Sequence, residues 1–365
     1  MSDKRRRFLV IQKALFQLYP KDPTGNLARH LNTLAMIISG IVGSKSTTLS
    51  KVSGEVIDGN KKESRIKRLS RWIVNKNIEE KLYFLPFAEA LLRNLGLPTL
   101  FLALDGSVVG RGCIVLMMAV IYKKRSLPIG WIVIRGKKGH LPEKLHIDLI
   151  KQVEQMIPKN KPVVLLGDGE FDGVNFQETV AGFGWKYVCR TGSNIICFWD
   201  GMEFKLGDLG KHIEPDYTID FPHILFTHEQ YGPVTVICWW AKGYKDPIYL
   251  VTNVDSVDEA CAFYSKRFRI ETFFSDQKSR GFNIHKSHIS SPERISRLLI
   301  AACLAYIWII HLGVLCVKDG WNKIIHRTDR CDLSLFRLGL NLLEHFLDHG
   351  MQIPVSFQVP QLYIT

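Results

Sequence analysis

The chain has 365 residues, 46% of them apolar, and carries 48 Lys and Arg against 35 Asp and Glu, a net charge of +13. That apolar content excludes a disordered chain, and the length allows a large core and two or three domains. The basic excess points to a polyanionic partner, nucleic acid ahead of anionic membrane. It is uneven: residues 1–95 hold 18 basic and 8 acidic side chains, +10 of the +13, leaving +3 for the rest. The eight cysteines include no CxxC pair, and several lie in apolar runs such as Ile195-Ile196-Cys197-Phe198. They read as small buried apolar groups in a reducing compartment, neither zinc ligands nor a disulfide frame.

Taken in chain order, helical periodicity covers 8–42 with breaks at Pro20 and Pro23, and the Ser-, Thr-, Gly- and Lys-rich stretch 44–60 reads as turns. The segment after the basic start is broken by Gln12, Lys13 and Gln17, too polar for a secretory signal, so a cytoplasmic, nucleoid-associated protein is expected. Residues 61–76 (KKESRIKRLSRWIVNK) place Ile66, Leu69, Trp72 and Ile73 on one helical face, with Lys61, Lys62, Arg65, Arg68 and Lys76 elsewhere. Such a basic amphipathic helix suits a DNA groove, although a solvated basic surface gives the same pattern. Leu95-Gly96-Leu97-Pro98 marks a boundary. The expected domains are therefore a helical basic DNA-binding domain (1–95), a core (96–330) and a C-terminal segment (331–365).

Beyond the boundary come strands near 100–104, 113–121 and 129–134, a helix near 142–157, a strand at 163–167, a helix near 174–181 and a strand at 185–190. That order is the one expected of a ribonuclease-H-like α/β domain with a mixed sheet. Two of its apolar runs close on aspartates, Asp105 in FLALDGS and Asp168 in VVLLGDG. A carboxylate at a strand end sits on the sheet rim, where open α/β sheets place their chemistry, although Asp-Gly is also ordinary turn chemistry. The 102 residues between Asp168 and Glu271 are too many for one connection. Short apolar runs at 195–199, 217–226, 234–240 and 248–252 make a β-rich insertion of about 191–255.

Tyr264, Arg267, Glu271 and Lys278 follow at spacings of three, four and seven. At about 100° per residue they share an arc of roughly 60°, a polar stripe on one long helix. Arg grips phosphate with a bidentate fork, Lys acts as a point charge, and the carboxylate suits a metal. A solvated face with i, i+4 ion pairs is the other reading of the same spacing. Two rim aspartates and one helix glutamate can hold hard cations through oxygen, and all three are expected to converge on one rim.

These residues resemble the Asp-Asp-Glu triad of bacterial insertion-sequence transposases with a ribonuclease-H-like core. Tyr264-x2-Arg267-x3-Glu271-x6-Lys278 is similar to the signature of the "IS-four" group within them. Further matching text is WIVIRGKKGH (131–140), the LLGDGEFD segment around Asp168, and GFNIHKSHISSPERISRLL (281–299), so the likeness runs from about 98 to 315. The resemblance implies that Asp105, Asp168 and Glu271 hold two Mg²⁺ ions, with Mn²⁺ as a substitute, around a scissile phosphate. It implies metal-dependent cleavage of double-stranded DNA at the inverted repeats ending a transposon, then strand transfer into target DNA through a hairpin, by a homodimer and with no small-molecule substrate. It also implies that Tyr264, Arg267 and Lys278 contact the phosphates flanking the cut. Trp239 or Trp240, at the far end of the insertion, is a candidate platform for a flipped base, although sheet core is the plainer reading of each.

Two rivals remain: a catalytically inactive DNA-binding relative, and a protein anchored in membrane by 298–317. That segment is twenty residues with only His311 strongly polar, long enough to span. Against a span stand the capped start Ser290-Ser291-Pro292-Glu293 and the small residues Ala301, Ala302, Cys303, Ala305 and Gly313, which suit a helix packed in protein. The expected partner set is DNA without membrane.

Overall fold

The computed structural model describes residues 1–136, 139, 141–328 and 330–361. Lys137, Lys138 and His140 of the WIVIRGKKGH run, and 362–365 of the C-terminal segment, lie outside the described residues. The chain opens with α1 (Asp3–Leu18), α2 (Gly25–Ser44), α3 (Leu49–Gly54), α4 (Lys62–Val74), α5 (Glu80–Tyr83) and α6 (Leu85–Asn94). The gap between α1 and α2 holds Pro20 and Pro23, which cannot donate to a helical ladder. The stretch expected as turns contains the short α3. In α4, Leu69, Trp72 and Ile73 are buried, the apolar face its spacing predicts.

The core continues with β1 (Leu100–Val109), β2 (Cys113–Tyr122), β3 (Arg125–Arg135), α7 (Glu143–Glu154), β4 (Val163–Gly167), α8 (Val174–Gly182) and β5 (Lys186–Thr191). The insertion supplies β6 (Ile196–Trp199), β7 (Met202–Lys205), α9 (Leu206–Gly210), β8 (Thr218–Phe226), β9 (Tyr231–Trp239) and β10 (Ile248–Thr252). There follow α10 (Val257–Tyr264), α11 (Arg269–Gln277), α12 (Pro292–Lys318), α13 (Asn322–Ile325) and α14 (Leu335–Asp348).

Among the described residues the strands form one ten-stranded sheet, in the order β3-β2-β1-β4-β5-β10-β9-β8-β6-β7. β3, β2 and β1 run antiparallel, and β4 and β5 lie parallel to β1. That is the expected ribonuclease-H-like arrangement. The insertion is no separate lobe: β10 pairs with β5 and carries β9, β8, β6 and β7 outward on the same sheet. β2 and β4, apolar throughout, are buried along their whole length, as strands covered on both faces must be.

Helix α12 is apolar all round and buried, packing on α2, α4, β3 and α14. It is long and apolar enough to cross a membrane, yet nearly nine-tenths of its apolar stretch is buried inside the protein. Its N-cap is the expected one, with the Ser291 hydroxyl accepting from Arg294 N–H. Two glycines let α14 lie directly on it: a Cβ on Gly313 would collide with the Leu335 carbonyl, and one on Gly339 with that of Ile309.

The ends of the chain are sewn into this core. Arg6 donates to the carbonyls of Phe346, Leu347 and Met351, Tyr122 to that of Pro360, and Trp308 to that of Pro354. One hydrophobic cluster runs from Ile11 on α1 through the sheet and α12 to Val359. A second, smaller cluster under α10 joins Val164, Leu166, Leu250 and Tyr264 on the opposite side of the sheet. Seven cysteines are buried and reduced as expected, but Cys331 is exposed.

Candidate active site

Strand register brings the two aspartates together. β1 pairs with β4 from Leu100↔Val163 to Ala103↔Leu166, an offset of 63, and the same offset carries residue 105 to residue 168 (105 + 63 = 168). Asp168 is indeed the first residue past β4. Asp105 is not at a strand end: β1 continues to Val109, with Asp105 opposite Met117 of β2. The hairpin partner β2 keeps hydrogen-bonding beyond the apolar run, whereas β4 stops. The aspartate is therefore on the rim on one side of its strand only.

Local bonds fix the aspartate at the end of β4. Gly167 is required there, because a Cβ would lie 2.6 Å from the Phe171 Cβ. The Asp168 carbonyl accepts from Phe171 N–H at 3.0 Å, and Asp168 Oδ1 from Glu170 N–H at 3.1 Å, an Asx-type turn. On the strand, Asp105 Oδ1 accepts from Gly106 N–H at 2.7 Å.

The Tyr-Arg-Glu-Lys stripe does not lie on one helix. Tyr264 ends α10, Arg267 stands in the connection, Glu271 is in the first turn of α11 and Lys278 caps its end. Between the helices the backbone closes with i→i+3 bonds, Lys266 to Phe263, Arg267 to Tyr264, Ile270 to Arg267 and Glu271 to Phe268. The chain keeps its right-handed turn while the α ladder is interrupted. α11 is then anchored from behind: Arg125 on β3 pairs with buried Asp276 at 2.9 Å, Ser126 donates to the Arg269 carbonyl, and Gln277 donates to that of Ala302. Burial raises the Asp276 carboxyl to about 6 despite Arg125.

A cleft of about 540 Å³ results, lined by Asp105, Asp168, Glu271, Arg267, Ser107 and Glu170 among others. All three predicted carboxylates face it. Arg267, only 6% exposed, lies between two of them, with Nη1 3.9 Å from Asp168 and Nη2 3.6 Å from Glu271. Burial raises the Asp105 carboxyl to about 6, helped by the charge of Asp168 and opposed by Arg267. Lys278 Nζ donates to Ser107 Oγ at 2.6 Å, two residues along β1 from Asp105. Tyr264 is buried beneath, its ring 5.8 Å from the Arg267 guanidinium, and burial raises its phenol.

The other sequence candidates lie elsewhere. Trp239 and Trp240 are half-buried at the end of β9, Trp239 against the Tyr244 ring and Trp240 donating to the Tyr244 carbonyl. Lys61 and Lys62 are exposed at the start of α4. Arg65 turns inward to the carbonyls of Ser53 and Val56 and, with Arg68, to Asp58. Two residues beside the predicted set, one of them lining the cleft, escape the spacing argument. Phe268, 41% exposed, lies 4.4 Å from the Arg267 guanidinium; its signal was only an aromatic beside the arginine. Glu170 lines the cleft, receives the Leu141 N–H and stands 3.7 Å from His146; the acidic run GDGEFD was its hint.

The donor set is all carboxylate oxygen, with the charge of Asp168 adding to the burial that raises Asp105, which is the chemistry that hard divalent cations satisfy. Among the described residues, however, no three His, Cys, Asp or Glu side chains are grouped closely enough to hold one ion. The site's positive charges are the Arg267 guanidinium and, at the Ser107 edge, the Lys278 ammonium.

A mixed sheet with two register-matched aspartates and a glutamate across one cleft defines a carboxylate-based α/β enzyme. The profile of the transposase DDE domain family matches residues 106–308, more than half the chain, beginning one residue after Asp105. The protein belongs to the transposase DDE domain family and is a transposase, an enzyme of DNA recombination. No curated protein matches it. Among solved structures, piggyBac transposase in a synaptic complex with hairpin DNA is similar at a TM-score of 0.48 and 11% identity, over 95% of this chain and 80% of that one.

Proposed function

We propose that this enzyme cuts double-stranded DNA at the ends of an insertion sequence of the "IS-four" type and joins the freed ends to target DNA. Asp105, Asp168 and Glu271 would hold the divalent metal, two Mg²⁺ ions with Mn²⁺ as a substitute. A metal held there would supply Lewis-acid chemistry, lowering the pKa of an attacking water or 3′-hydroxyl and stabilising a leaving oxygen. The observation that carries this reading is the register that sets Asp105 beside Asp168, with Glu271 and Arg267 across the same cleft.

The chain's own residues supply the rest. Arg267 offers a fork to a phosphate and Lys278 a point charge at the Ser107 edge. Tyr264 acts through Arg267, which it supports from below. The partly exposed ring of Phe268, against the Arg267 guanidinium, would give a base a face to stack on. Lys61 and Lys62 on α4 would add phosphate contacts along the duplex, in a homodimer with one active site per end. Passage through a hairpin and a nucleoid location belong to the same reading. The deciding assay incubates the full chain with its element's terminal duplex and Mg²⁺. Nicking at the 3′ end that needs metal supports the proposal. Tight binding without any cleavage in Mg²⁺ or Mn²⁺ leaves the inactive relative instead.

A further inference from the structure

We infer that Arg267 is a built-in counter-cation, a guanidinium that holds Asp168 and Glu271 around itself until a DNA phosphate draws it off, so that metal and DNA bind cooperatively. The inference rests on the reading of the three carboxylates as a metal site, and adds the regulation of that site.

The geometry of the arginine is the first argument. Its side chain reaches Asp168 with one Nη and Glu271 with the other, at 3.9 and 3.6 Å. Charge-assisted N–H···O bonds run to roughly 2.7–2.9 Å. Both contacts are thus Coulombic attractions rather than made hydrogen bonds. Nε is enclosed and has no hydrogen-bond partner among the described residues. Apart from the Tyr264 phenol beneath it, the guanidinium is held by two long ion pairs, and its Nε is an orphaned donor. A phosphate offers it two oxygens at the spacing of its fork, a better match than two separate carboxylates.

The second argument is charge. Four carboxylates line the cleft, Glu170 among them, against the Lys278 ammonium at the Ser107 edge and the Arg267 guanidinium, which stands between two of the four. A divalent cation entering beside it meets a like charge a few ångströms away and carboxylates already engaged. The Arg267 guanidinium lies 4.4 Å from the partly exposed Phe268 ring, so one side of it borders a residue that reaches solvent. Ligands that each favour the same displaced state must tighten each other by the same factor.

The test is Mn²⁺ binding to the full chain, read from the electron paramagnetic resonance of free Mn²⁺. It is run with Mn²⁺ alone and with a short duplex oligonucleotide, the duplex's own uptake being subtracted. Wild type should bind Mn²⁺ weakly alone and about tenfold more tightly with duplex, within the usual range for coupled sites. Arg267→Gln should bind Mn²⁺ about tenfold more tightly than wild type without duplex and gain little from it. Arg267→Lys, which keeps the charge without the fork, should stay close to wild type without duplex. Melting in EDTA separates the idea from simple damage, since Arg267→Gln should lose stability there and regain it with Mn²⁺. If Arg267→Gln binds Mn²⁺ no better than wild type, the counter-cation role is wrong while the metal site stands. If neither protein binds Mn²⁺ with or without duplex, the reading of the carboxylates falls as well.

Discussion

The two walls of the cleft are built on different principles. On the sheet wall, Asp105 and Asp168 are placed by the hydrogen-bonded ladder between β1 and β4, and their separation changes only if the ladder slips. On the helix wall, Arg267 and Glu271 sit where the helical ladder is interrupted, held by long ion pairs and by the Arg125–Asp276 anchor behind α11. One wall is fixed by backbone and the other by side chains. Chemistry that needs a set position and chemistry that needs rearrangement are thereby assigned to opposite sides.

The largest test removes ligands from each wall. Asp105→Asn, Asp168→Asn and Glu271→Gln should each reduce cleavage on the order of 10³-fold or more, leaving duplex binding within a few-fold, because each deletes a metal-holding carboxylate. The walls should then part company on conservative change. Asp105→Glu forces a methylene against a fixed ladder and should be as inactive as the Asn variant. Glu271→Asp should keep measurable cleavage, because α11 side chains can adjust. Equal residual rates for those two variants, in single-turnover assays, would erase the distinction.

Acid should act through the sheet wall. Burial, then the charge of Asp168, raises the Asp105 carboxyl to about 6, so the folded metal-free protein holds a proton there that the unfolded chain releases near 4. Between those values the folded state binds more protons, so this group's contribution to stability is present at low pH and lost as pH rises through about 6. Metal binding runs the opposite way, since a cation must displace that proton. Metal affinity should fall about tenfold per pH unit below about 6. Titrations of Mn²⁺ affinity and of melting temperature against pH should therefore slope in opposite directions.

Much of this was readable in the sequence, for stated reasons. The strands of the core were marked by apolar runs between turn signals, and Asp168 by the Gly on either side of it. Asp105, Gly106 and Ser107 look like a turn in the sequence, and pairing to β2 is what keeps them in a strand. The stripe spacing grouped four residues that the structure brings near one cleft, but on two helices rather than one, since i→i+3 and i→i+4 turns rotate side chains similarly over one break. The packing of α14 on α12 was invisible because two glycines give no signal until their partners are known. Charge counting also overstated the free basic surface of the first 95 residues: Arg7 pairs with Glu55, Arg6 with C-terminal carbonyls and Arg65 with Asp58.

Phe268 tests the mouth between the walls. Its replacement by Ala should weaken engagement of the cleaved end by about tenfold, the range of one base–aromatic stack, with little change in salt dependence. Fluorescence of a base analogue placed at the end should lose its quenching in the variant; unchanged quenching would remove Phe268 from the site. The smallest effect belongs to α4. Lys61→Ala and Lys62→Ala should each lower the slope of log affinity against log salt by about 1. Arg65→Ala should instead lower the melting temperature, because its partners are Val56, Ser53 and Asp58. A slope change for Arg65 without loss of stability would return it to the DNA surface.

The unbroken sheet has a mechanical consequence. From β4 to the edge strand β7 there are six steps, β5, β10, β9, β8, β6 and β7. At about 4.8 Å each, the edge stands at most about 29 Å from the strand that ends at Asp168. No flexible linker interrupts that distance, only backbone hydrogen bonds. A pull on β7 is transmitted stiffly to β5 and the cleft rim, and whatever grips the far edge is held at a set reach from the reacting carboxylates.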